Sequence, residues 1–211
     1  MLTLLFSLLM TQAHASTEVI YFGGFEATNA EMQCWQAGAE AQPAYAHVAF
    51  ETHAYPAGAS SSAASAQSHG AATINAVVAE IEAHPEIHFV VVGHSSGAAL
   101  SDKVAQLVKN PSNMELVNLD GFAPSAAVQK RMKSTCVYAV SSKINGLTSL
   151  NAASMKGNCL NSEAYTDAHC TTPWCMHFSL VNEKAPSALS SSTFAAHGYD
   201  GCSTNLSWLA P

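Results

Sequence analysis

The sequence predicts a single α/β domain built on a mostly parallel central sheet with helices on both faces. Two observations carry that prediction. Short β-branched or apolar runs alternate with one-sided helical patterns along the chain, and such alternation implies right-handed crossovers between parallel strands. One run, Ile87 to Val92, is apolar without interruption, as suits a strand buried on both faces. With 48% hydrophobic residues in 211, the chain can build one substantial core.

Residues 1–15, MLTLLFSLLMTQAHA, have an apolar core and end in Ala13-His14-Ala15. They are expected to be a secretory signal peptide, which assigns 16–211 to the domain and places the protein outside the cytoplasm, secreted or periplasmic. Glu18 to Phe22 reads as a strand that breaks at Gly23-Gly24. A helix is expected over Glu31 to Ala39 and a strand over Ala46 to Phe50. The Ala-, Ser- and Gly-rich stretch from Ala54 to Ala72 reads as a surface loop that could rim a site. Ile74, Val77, Val78 and Ile81 recur on one helix face, with Pro85 beyond its end. After the Ile87–Val92 strand, Leu100, Val104, Leu107 and Val108 mark another helix face. A strand over Met114 to Leu119, a helix over Ala126 to Met132 and a strand over Cys136 to Val140 follow.

Composition narrows the partners. The net charge is −7, and from Ser16 through Asp102 there are nine acids and no Lys or Arg. Nucleic-acid backbones and anionic lipid surfaces are poor partners for such a surface. No stretch after residue 15 approaches the roughly eighteen unbroken apolar residues of a membrane span. Six cysteines remain after signal cleavage; in an exported chain an even number reads as up to three disulfides, with connectivity left open. The cluster His169, Cys170, Cys175, His177 could instead hold zinc, but an oxidising compartment and the four-residue gap between the cysteines favour disulfides. No metal or cofactor is expected.

The chemistry centres on "VVVGHSSGAAL". Gly93-His94-Ser95-Ser96-Gly97 has the G-x-S-x-G form, follows a buried strand and opens an amphipathic helix. This is the context of a nucleophile elbow, in which a sharp turn holds a serine hydroxyl out at the top of the sheet. The glycines are needed because side chains would block the close passage of strand and helix. The pentapeptide alone is a weak signal; between that strand and that helix it is a strong one.

On these residues the chain resembles the α/β-hydrolase superfamily from about Val19 to Val181, and within it the small secreted lipases, esterases and cutinases. The resemblance implies a triad in the order Ser, Asp or Glu, His. Ser95 would be the nucleophile. His177, in "WCMHFSLVN", is the favoured base because it follows a loop and enters an apolar helical start; His197 and His169 are alternatives. Of four Asp residues, Asp102 lies down the outgoing helix and Asp200 follows every candidate histidine. Asp120, in "VNLDGFAP", resembles the acid of lipases whose carboxylate follows the strand after the elbow. Asp167, in "YTDAHC", resembles the cutinase aspartate, which a Cys159–Cys170 bridge would brace. Asp120 is favoured, and Asp167 stays open.

The oxyanion hole is expected from the backbone N–H of Ser96 and from the Gly24-Phe25 segment at the end of the first strand. The implied activity is cleavage of small-molecule or lipid carboxylic esters through an acyl-enzyme on Ser95. Amide cleavage or acyl transfer by the same triad, and a non-catalytic disulfide-braced binding protein, are the rival readings.

Overall fold

The computed structural model describes residues 17–140, 152–168, 170, 172–182 and 202–209. The expected signal peptide, His169, His197 and Asp200 lie outside the described residues. Among the described residues six strands form one sheet: β1 (Thr17–Phe22), β2 (Val48–His53), β3 (His88–His94), β4 (Met114–Leu119), β5 (Ser134–Ala139) and β6 (Ser162–Tyr165). Their order is β2-β1-β3-β4-β5-β6, and every neighbouring pair is parallel. The chain first winds from β1 to β2, then returns past β1 and winds the other way. Such a reversal leaves a crevice outside the carboxyl ends of the strands on either side of it, here β1 and β3, where open α/β sheets bind ligands.

Around the sheet lie α1 (Asn29–Glu40), α2 (Ala63–His69), α3 (Ala71–Ala83), α4 (Ala98–Leu107), α5 (Ala126–Arg131), α6 (Ala152–Asn158) and α7 (Pro173–Ser179). A capping box starts α1: the Thr28 hydroxyl accepts from the Glu31 N–H at 3.3 Å, and the Glu31 carboxylate accepts from the Thr28 N–H at 2.7 Å. Trp35 of α1 then stacks on Tyr21 of β1, with ring centroids 4.2 Å apart. On the other face, Gly93, the register partner of Phe22, lies against Ala98 and Ser101. Successive side chains alternate across a strand, so Tyr21 and Phe22 show that α1 and α4 cover opposite faces. Phe89 to Val92, at the centre of β3, are all buried, as their unbroken apolar run requires. No helix among the described residues is long and apolar enough to cross a membrane.

The structure departs from the sequence reading in several places, and adds α6 and β6, which that reading did not contain. The 54–72 stretch is not all loop: the Ser62 hydroxyl caps the Ser65 N–H at 3.3 Å and starts α2, and α3 begins at Ala71. Alanine's high helix propensity outweighs the small side chains there. A 3-10 turn over Pro43–Tyr45 delays β2 to Val48. Leu107 is 40% exposed, which leaves Leu100, Val104 and Val108 as the buried stripe of α4 and its C-cap. The cysteines pair as Cys34–Cys202, Cys136–Cys159 and Cys170–Cys175. A Cys159–Cys170 bridge is therefore not formed, and the zinc alternative loses both of its thiolates.

Candidate active site

β3 delivers Gly93 and His94 to the carboxyl edge of the sheet, and the chain turns at Ser95, whose φ is 53°. A left-handed conformation at a non-glycine residue costs about 1–3 kcal/mol and persists only where its surroundings impose it. Here they do. A Cβ on Gly97 would sit 2.5 Å from the carbonyl oxygens of both Phe22 and Gly23, so the turn is pressed against the end of β1. A Cβ on Gly24 would lie 3.1 Å from the Cβ of Ser95, which brings the Gly24-Phe25 segment beside the serine. Ser95 remains partly exposed. Ser96 is buried, and its hydroxyl donates to the Ser61 carbonyl at 3.1 Å.

Asp120 leaves β4 in the same unusual manner, with φ 45°. The register pairs His94 with Leu119, so Ser95 and Asp120 depart from adjacent strands side by side. Asp120 is fully buried. Its N–H donates to the Val137 carbonyl at 2.7 Å, and its Oδ1 accepts from the Ala139 N–H at 3.4 Å. Asn118 pins the turn: its Nδ2 donates to the Phe122 carbonyl at 2.7 Å, while its Oδ1 accepts from the Ser101 hydroxyl of α4 at 3.0 Å.

The remaining Asp120 oxygen, Oδ2, meets Nδ1 of His177 at 2.5 Å. His177 lies on α7, which starts with Thr172 as its cap, its hydroxyl accepting from the Cys175 N–H at 3.1 Å, and with Pro173 in the first position. The His177 side chain is 2% exposed. A carboxylate that accepts from Nδ1 holds the imidazole in the tautomer with its proton on Nδ1. Trp174 stands edge-on to the imidazole at 5.9 Å.

Of the other candidates, Asp102 accepts from the Ser125 N–H at 3.2 Å and from Gln106 Nε2 at 2.7 Å. Burial raises its pKa, and its bonds fasten the start of α5 to α4. The backbone of Asp167 directs its N–H at the Met176 sulfur and accepts from the Cys170 N–H at 3.2 Å. The partner of His177 Nδ1 is Asp120.

Sequence reasoning missed two contributors. His94 is fully buried; its Nε2 lies 3.1 Å from the His177 carbonyl oxygen, and its ring centroid 4.5 Å from that of His177. Burial first, and then the neighbouring His177, hold its pKa well below the usual histidine range, so its ring is neutral at neutral pH. Tyr55, at the end of the segment after β2, donates to the Ser60 carbonyl at 2.7 Å and meets the Ser96 hydroxyl, bracing the elbow from outside the motif. The variable position of G-x-S-x-G carries no signal for His94, and Tyr55 lies 41 residues from Ser96.

A parallel sheet with its switch point at β1 and β3, and a left-handed serine between that sheet and α4, define the α/β-hydrolase fold. Neither a known protein family nor a curated protein matches the chain at the level of sequence. Solved structures similar to it include a thioesterase from the prodiginine biosynthetic pathway of Streptomyces coelicolor, at 13% identity over 88% of this chain and 86% of that one, TM-score 0.49. The catalytic core domain of acetyl xylan esterase from Trichoderma reesei matches at 14% identity over 57% and 82%, TM-score 0.39. A cutinase-like protein from a Cryptococcus species matches at 17% over 74% and 77%, TM-score 0.37.

Proposed function

We propose that the protein is a secreted serine hydrolase of carboxylic esters. The observation that carries this reading is the Asp120–His177 hydrogen bond at 2.5 Å, formed where Asp120 leaves the sheet beside the strained Ser95. In this mechanism Ser95 Oγ attacks the acyl carbon while Nε2 of His177 takes its proton. The imidazolium then gives that proton to the departing alcohol, leaving an ester on Ser95. Water, deprotonated by the same nitrogen, attacks that ester and returns the serine hydroxyl with the carboxylic acid. Asp120 keeps the imidazole in the working tautomer and offsets its charge. The N–H of Ser96 and an N–H of the Gly24-Phe25 segment are assigned to the developing oxyanion, where one donor is worth about 3 kcal/mol.

A cavity of about 640 Å³ opens between residues 26–29 and 54–59, directly beyond that segment; it would take the part of the substrate outside the ester. Export is supported by the pairing of all six cysteines, since such bonds persist in oxidising compartments. The test is a chain-length series of p-nitrophenyl esters together with fluorophosphonate labelling of the purified protein. Turnover and labelling of the natural chain, both abolished by Ser95→Ala, are expected. Turnover that survives this substitution in a folded protein removes the assignment, and a natural chain that neither turns over nor labels favours a binding role.

A further inference from the structure

The last turn of α7 presents four carbonyls that no backbone N–H of the helix itself reaches. The Met176 carbonyl accepts from the Ser179 hydroxyl at 3.2 Å, that of Phe178 from the N–H groups of Val181 and Asn182, and that of Ser179 from Tyr165 and Asn205. The carbonyl of His177 is served from another element: Nε2 of His94, at the end of β3, stands 3.1 Å away. A carbonyl only accepts, so Nε2 of His94 carries the proton in this bond.

His94 immediately precedes Ser95 in the chain. Its bond therefore ties the backbone of the base to the backbone of the nucleophile. The rest of the ring fills the space between them. It tilts against the His177 imidazole at 4.5 Å and against Phe178 at 5.9 Å, and its Nδ1 stands 3.3 Å from where a Cβ of Gly24 would be. One fully buried side chain thus touches the nucleophile's strand, the base and the oxyanion segment.

Resting on the reading of His177 as base, we infer that His94 is a positioning residue that sets the spacing of His177 from Ser95. Without its bond, α7 keeps Asp120 on the imidazole but loses the tie that fixes its height over the elbow. A misplacement of about 1 Å in such a constellation costs about 10²-fold in rate. Substrate binding, which uses other surfaces, should change little.

The experiment compares His94→Phe, which keeps a ring and removes the donor, with His94→Gln, whose side-chain amide extends to the same carbonyl. His94→Asn, polar but too short to reach, stands in if the phenylalanine variant does not fold. With Ser95→Ala as control, the esterase assay should show kcat down by about 10²-fold and KM within about twofold for His94→Phe, and kcat within about fivefold of the natural chain for His94→Gln. The far-downfield proton resonance of the His177–Asp120 bond should shift or broaden in His94→Phe and persist in His94→Gln. Equal kcat in the donor-less and donor-bearing variants overturns the inference, as does a loss confined to KM or to the melting temperature. Activity that survives Ser95→Ala overturns the functional reading and this inference with it. A dead Ser95→Ala with an unaffected His94→Phe overturns this inference alone.

Discussion

Ser95 and Asp120 leave neighbouring strands with φ values of 53° and 45°, and each exit is held by contacts that local sequence does not display. Ser95 was legible because the glycines around it, the apolar run before it and the helical stripe after it all serve one sharp turn. The placement of Asp120 was legible through its resemblance to the lipase acid that follows the strand after the elbow, and because 25 residues after Ser95 accommodate one helix and one strand and return the chain to the same sheet edge. His94 was not, because its partner lies 83 positions away and a histidine beside a serine has no local pattern. The geometry at Asp120 predicts that Asp120→Asn lowers kcat by about 10³–10⁴, since an amide at Oδ2 can present a donor and favour the wrong tautomer. Asp167→Asn should lower it by about tenfold or less, an effect on the loop alone. Steady-state kinetics alongside circular dichroism decides; the reverse ranking in two folded variants would transfer the acid's role to Asp167.

Elements with a strong period were read correctly from sequence, as β1, β3, β4, α1 and α3 show. α2 was missed because its Ala and Ser side chains have no apolar stripe, and its start depends on the cap supplied by Ser62. β6 was missed because it is a four-residue edge strand exposed along most of its length, where neither alternation nor an apolar run develops. Between β1, β2 and α3, Glu18, Glu51 and Glu80 bring carboxylate oxygens within 4.8 Å of one another. His53 pairs with Glu51 at 2.9 Å and holds the Glu51 pKa down. Burial, followed by the charge of Glu51, pushes Glu80 up to about 7 from its ordinary 4.5. Above pH 4.5 the unfolded chain gives up this proton while the fold keeps it, so stability falls as pH rises and the full cost is reached above about 7. Glu80→Gln, which mimics the protonated form, should therefore raise Tm at pH 8 by on the order of 2 °C and leave it unchanged at pH 4. A melting series across that range measures it, and an equal shift at both ends would rule out ionisation as the cause.

At the scale of the whole molecule, the segment 202–209 closes the structure over α1 and the end of α7. The Thr204 hydroxyl donates to the Trp35 carbonyl at 2.7 Å, and Gln42 donates to the Thr204 carbonyl at 2.8 Å. The Tyr45 hydroxyl lies 3.1 and 3.0 Å from the carbonyls of Leu206 and Leu209. The Val181 carbonyl, just beyond α7, accepts both from the Trp35 indole and from the Asn205 N–H, each at 2.9 Å. The Cys34–Cys202 bridge, spanning 168 residues, seals the same contact. Six cysteines allow fifteen complete pairings, and this one depends on the tail packing against α1, which no local spacing reveals. A bridge of that span restricts the unfolded chain most, by about 5 kcal/mol in the loop-entropy account. The Thr204, Gln42, Tyr45 and Asn205 hydrogen bonds named above hold the tail without it. The double variant Cys34→Ser, Cys202→Ser should therefore melt about 10 °C lower or more, yet keep kcat/KM at 25 °C within about threefold, because the bridge acts mainly on the unfolded state. Calorimetry and esterase kinetics on the same preparation test both halves. A large loss of activity with Tm unchanged would mean that the bridge holds α7, and with it His177, in place in the native state.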